Sequence, residues 1–207
     1  MRRKTKDTLL EETENLIISN GYNNIRVEDI TKASEVAKGT FYLYFKTKDD
    51  IFLELINKKI DSYLEKIKLI NEFNKEMDLA KQLYQINSAL CKIISEEKYF
   101  AAVVEKLIKE NKNSIGNSIV KIFDEKIEKL KNEIKIIFKR AIIKEEISKK
   151  YETYIDKIVS FYIILINKEI VNKILKGNMD YFELDDETAE KDINFATYIF
   201  LNGIIIK

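Results

Sequence analysis

An all-α protein is predicted by three features of the sequence: no proline, only 5 glycines, and apolar residues recurring at helical spacing along nearly the whole chain. Sheets and tight hairpins need turn-forming residues that are scarce here. With 34% charged and 45% hydrophobic residues, both faces of amphipathic helices can be supplied. The 207 residues suffice for a real core, as one domain or as a small domain joined to a larger one.

Leu9, Leu10, Thr13, Leu16 and Ile17 share one face of a first helix, which Gly21 should end by taking a left-handed conformation. Val27, Ile30 and Ala33 mark a short second helix, and a third runs from Ala37 to about Tyr44, so the pair forms a helix-turn-helix. Thr47 and Asp50, three residues apart, cap a long fourth helix whose apolar period persists to about Ile70. Further helices follow around Leu79 to Ile94, Phe100 to Ile108, Ser118 to Ile143, Lys149 to Leu175 with Gly177 at its end, and Asp185 to Ile205. The expected division is a helix-turn-helix part over residues 1–47 and a larger helical part over 48–207, with no flexible linker between them.

Composition excludes several functions. There is no histidine, which removes the commonest general base and metal ligand, and no nucleophile stands beside a base; an enzyme is not expected, and neither a metal nor a cofactor is implied. The pairs Asp49-Asp50 and Asp185-Asp186 start helices and read as caps, not metal ligands. Cys91 stands alone and reads as buried filler. The start lacks an apolar leader, and the longest apolar run, residues 158–166, is too short to cross a membrane, so a cytoplasmic location is expected. Net charge is +1, so any nucleic-acid surface must be local. One basic stretch is residues 1–6, "MRRKTK", readable as a solvated tail or as an arm toward a minor groove.

The other is "VAKGTFYLYFKTKDD", residues 36–50. At about 100° per residue, Phe41 and Phe45 share an inner face while Gly39 and Leu43 fall nearly opposite, flanked by Thr40 and Tyr42. A glycine in a helix costs about 1 kcal/mol relative to alanine, which makes sense if a foreign backbone must come close. Lys38, Lys46 and Lys48 can pair with phosphates, a tyrosine hydroxyl can donate to one, and Thr40 and Leu43 can touch base edges.

Through Gly21-Tyr22, Asp29-Ile30, Lys38-Gly39-Thr40-Phe41-Tyr42, Tyr44-Phe45 and Lys48, the segment resembles the DNA-binding region of tetracycline-repressor-like (TetR family) regulators over residues 6–56, about a quarter of the chain. The resemblance implies a homodimer whose third helix enters the major groove of a palindromic double-stranded DNA operator. It also implies a variable C-terminal part that binds a small-molecule effector. Carried over by position, Lys38, Gly39, Thr40, Tyr42, Leu43 and Tyr44 face DNA and Lys48 meets a phosphate. Arg26 and Val27 stand where hydroxyl residues are usual, Arg26 offering a charged substitute; Glu35 replaces a common turn glycine and Ala37 a capping serine.

The implied function is a repressor released by an apolar or amphipathic inducer. Tyr84, Phe100, Phe123, Phe138 and Tyr162 are the candidate pocket aromatics. Tyr154, Ile158, Tyr162, Ile199, Phe200 and Gly203 are the candidate dimer face, Gly203 permitting close helix approach. The alternative is a helical small-molecule-binding or adaptor protein whose helix-turn-helix does not bind DNA.

Overall fold

The computed structural model describes residues 2–109, 114–176 and 186–204, with side chains for 4–109, 115–166 and 190–204. Within them lie nine α-helices and two 3-10 turns, and no strand: α1 Arg2–Asn20, α2 Val27–Ala33, α3 Lys38–Tyr42, α4 Lys48–Phe73, α5 Leu79–Glu96, α6 Lys98–Lys109, α7 Ser114–Ile143, α8 Ile155–Lys176 and α9 Asp186–Asn202, with the turns at Tyr22–Asn24 and Lys149–Tyr154. The fold class is the expected one. Gly177, Asp185 and Ile205 lie outside the described residues.

Helix boundaries follow the local chemistry. Gly21 donates its N–H to Ile17 O at 2.9 Å and takes φ +79°, a conformation that disfavours side chains, so α1 stops there. Asp50 Oδ2 accepts from the backbone N–H of Lys46 and Thr47 at 3.0 and 2.9 Å, while Thr47 Oγ1 accepts from Asp50 N at 3.1 Å, the reciprocal cap expected for α4. Two segments differ from expectation. The basic start belongs to α1 from Arg2 onward, so its backbone is helix and not a tail, and Lys6 pairs with Glu54. Lys149–Tyr154 forms a 3-10 turn and α8 begins only at Ile155.

The chain divides into two compact units, Met1–Ser62 with Glu97–Glu125, and Tyr63–Glu96 with Lys126–Lys207. The functional boundary expected at residue 47 falls inside the first of these, which includes α6 and the start of α7. Its core gathers Leu9, Ile17, Ile30, Phe41, Phe45, Ile51 and Phe52 with Phe100, Leu107 and Ile119. The Phe52 ring lies 4.8 Å from Tyr22 and 5.9 Å from Phe100. Lys59 ties α1, α4 and α6 together: its ammonium pairs with Glu14 at 2.6 Å and Glu97 at 2.8 Å and lies over the Phe100 ring. Burial opposes that charge, yet the two carboxylates hold the lysine's pKa above its ordinary value.

In the second unit Ile67, Leu83, Ile86, Ile134, Phe138, Tyr162, Ile166, Ile193 and Leu201 form one core. Two polar groups inside it are paired. Tyr162 donates its hydroxyl to Asn87 Oδ1 at 2.8 Å, and Asn87 Nδ2 donates to Thr197 Oγ1 at 2.9 Å, joining α5, α8 and α9. Arg140 Nη2 donates to Gln82 Oε1 at 2.9 Å and to the Asn71 side chain, joining α7 to α5 and to the last turn of α4. Cys91 is buried here.

Glu35, between α2 and α3, takes φ +54°. A non-glycine residue there costs about 1–2 kcal/mol, part of which glycine returns as unfolded-state entropy. Glu35→Gly is therefore expected to stabilise the protein by about 0.5–1 kcal/mol, read as a higher denaturant midpoint at unchanged slope.

Candidate nucleic-acid interface

The helix-turn-helix is α2, a turn over residues 34–37, and α3. α3 spans five residues, too few to hold alone. Phe41 and Phe45 are buried beneath it, with Tyr44 N–H and Phe45 N–H donating to Phe41 O at 2.9 and 3.0 Å, so packing fixes which face turns out. That face carries Lys38, Gly39, Tyr42 and Leu43; Tyr42 is 50% and Leu43 74% exposed. Thr40 is half-buried, and Tyr44 is half-buried against the core with its ring 6.4 Å from Phe45, so these two present less surface than the resemblance implied. Beyond its chain neighbours and the backbone of its own helix, no atom comes within 4 Å of where a Gly39 side chain would begin, so no packing partner calls for glycine there.

The departures from the family pattern have local answers. Arg26 precedes α2, and its side chain, having no acceptor, cannot cap it; instead Asp29 Oδ2 accepts from Arg26 N–H at 2.8 Å. The Arg26 guanidinium is left exposed beside the interface. Ala37 makes no side-chain cap, as its type dictates. Lys38 pairs across the turn with Glu28 of α2; each partner stabilises the other's charge, holding the lysine pKa above and the carboxyl pKa below its ordinary value.

Lys48 is less free than a plain phosphate contact. Its ammonium donates to Tyr22 O at 2.8 Å and Ile25 O at 3.0 Å and lies 4.2 Å from the Tyr22 ring centroid. Desolvation lowers its pKa. An ammonium has three donors, so one remains for an outside acceptor while two pin the segment between α1 and α2 onto α4. Tyr22 in turn donates its hydroxyl to Asp49, and burial raises its pKa.

The five pocket candidates are divided between the two units. Phe100 sits in the first unit's core and Phe123 is exposed in that unit, whereas Tyr84, Phe138 and Tyr162 belong to the second. Phe138 and Tyr162 have ring centroids 6.0 Å apart and are fully buried; burial raises the pKa of both Tyr84 and Tyr162. Among the dimer candidates, Tyr154 and Ile199 are exposed. Ile158 and Tyr162 are buried, Tyr162 with no surface for a partner, and Phe200 packs 5.6 Å from the Tyr162 ring. Gly203 lies in the turn after α9, where a side chain would meet Phe200 O at 3.4 Å, so it answers to its own turn and not to another described helix. Phe161 and Ile164 on α8 and Phe195 and Tyr198 on α9, not among those candidates, are exposed as well. The stripe on each helix was wide enough to signal them, but its inner and outer edges differ by only one residue.

Comparison with known proteins bears on this surface. Residues 9–55 match the family model described as bacterial regulatory proteins, tetR family. The chain is 29% identical to the HTH-type transcriptional regulator QacR of Staphylococcus aureus over 199 residues, 96% of this chain and 81% of that protein. It is 36% identical to the fatty acid metabolism regulator protein of Bacillus subtilis over 74 residues, 36% of this chain and 37% of that one. The crystal structure of the transcriptional regulator FadR from Bacillus subtilis in complex with stearoyl-CoA superposes with a TM-score of 0.70 at 22% identity, covering 95% of this chain and 98% of that one, and shares the fold. The family match falls on the helices that bury Phe41 and turn Lys38, Gly39 and Tyr42 outward, and the QacR similarity extends over nearly the whole chain: residues 9–55 are the DNA-binding region of a tetR-family regulatory protein, and the chain as a whole is similar to a transcriptional regulator.

Proposed function

We propose that the chain is a ligand-responsive repressor, binding a palindromic operator as a two-fold homodimer with one α3 in the major groove of each half-site. The observation that carries this is the row Lys38, Gly39, Tyr42 and Leu43, held outward by buried Phe41 and Phe45. Lys38 reaches into the groove, the spare Lys48 donor and the Tyr42 hydroxyl serve phosphates, Gly39 admits the strand, and Leu43 meets a thymine methyl. Arg26 adds a positive charge on the same side of the motif.

Two-fold symmetry is what a palindrome requires. The second unit supports it: Tyr154 at the end of the 3-10 turn, Phe161 and Ile164 on α8, and Phe195, Tyr198 and Ile199 on α9 are all exposed, and large apolar side chains left exposed in such number mark an interaction surface. We assign it to the partner subunit.

Release from DNA is a population shift: the inducer binds the non-DNA-binding arrangement more tightly. It is a small apolar or amphipathic molecule bound within the second unit, and α4, which contributes to both units, transmits the change. The names of the Bacillus relatives, a fatty acid metabolism regulator and a stearoyl-CoA complex, make acyl chains and acyl-CoA thioesters the first compounds to screen.

Selection from random double-stranded DNA is expected to enrich a palindrome with the native chain and none with the Lys38→Ala, Tyr42→Phe double variant; equal enrichment by both would contradict the assignment. Binding to that palindrome should weaken on the order of a thousandfold between about 50 and 200 mM salt, and a near-flat response would point to an apolar protein contact instead. Gly39→Ala should raise thermal stability, by up to about 1 kcal/mol, while weakening operator binding; unchanged affinity would mean no strand approaches there. Phe161→Glu combined with Ile199→Glu should give a folded monomer by light scattering, and a persisting dimer would place the interface elsewhere.

A further inference from the structure

We propose that Glu28 and Lys38 act together to read a single C·G base pair in each half-site, an assignment that rests on α3 docking in the major groove. Glu28 lies in the first turn of α2 and Lys38 is the first residue of α3, and their side chains meet across the turn as an ion pair. Both remain more than half exposed, 58% and 53%, at the end of α3 that carries Gly39. An exposed pair of this kind contributes little to folding, so the two residues are free to serve the surface they stand on.

A carboxylate on a DNA-facing surface is in an unusual position. Phosphates repel it, and the acceptors that guanine, adenine and thymine present in the major groove repel it as well. The groups there that can donate to it are the exocyclic amines of cytosine and adenine. The Lys38 ammonium offsets the repulsion by neutralising Glu28 at the point of contact.

The pair presents an acceptor beside a donor at hydrogen-bond separation. A C·G pair presents the complement: the cytosine amine lies next to guanine O6, with N7 as a second acceptor for the ammonium. An A·T pair offers the adenine amine and thymine O4, but a methyl group stands where the second acceptor would be. The ammonium is therefore better satisfied on C·G.

The test is selection and competition binding on random double-stranded DNA with the full chain, comparing the native protein with Glu28→Ala and Glu28→Gln. The native half-site should contain one C·G position at which any other pair weakens binding about tenfold. Glu28→Ala should flatten that position while leaving the others as they were. Glu28→Gln should move it toward A·T, because a carboxamide pairs with adenine N6 and N7. An unchanged preference with affinity altered uniformly across sequences would overturn the proposal and leave Glu28 as a residue that merely holds Lys38, with DNA binding itself intact. No enriched sequence from folded native protein would overturn the pair and the operator reading together.

Discussion

The burial of Phe41 and Phe45 beneath a five-residue helix is the constraint on which the interface depends. A helix so short gains little from its own hydrogen bonds, and it carries a glycine that costs about 1 kcal/mol. Two phenylalanine side chains taken out of water return about 2 kcal/mol each. Their direction also settles, residue by residue, what faces outward. Lys38, Gly39, Tyr42 and Leu43 are a surface because Phe41 and Phe45 are a core.

The same unit shows how side chains usually read as contacts can be shared with the fold. Lys48 spends two donors on Tyr22 O and Ile25 O, and Asp49 takes the Tyr22 hydroxyl, so the start of α4 locks the segment leading into α2. Lys59 does the same for α1, α4 and α6 through Glu14, Glu97 and the face of Phe100. α6 thereby belongs to the same compact unit as the helix-turn-helix, although it lies far beyond the motif in sequence.

Much of this was legible in the sequence where a short-range rule operates. Gly21 ended α1 through a positive φ, Thr47 and Asp50 capped α4, and the 41/45 spacing put both rings inside. What was not legible depends on long-range packing. Nothing local tells that Tyr162 is wholly buried on Asn87 while Phe161, its neighbour, is 66% exposed. Nor does any local rule assign Phe100 to the first unit and Phe138 to the second. The departures were half legible: Arg26 could not cap as a serine would, but its N–H is taken instead by Asp29, three residues on, which the structure alone shows. The Glu28–Lys38 pair was hidden because a ten-residue separation carries no contact rule across a turn.

The central claim, that the outward face of α3 enters the major groove in each half of a palindrome, is tested most directly by guanine methylation interference on the selected operator. Methylation at N7 blocks the major-groove edge alone. The account predicts interference at guanines in both halves of the site. Binding indifferent to N7 methylation would contradict it.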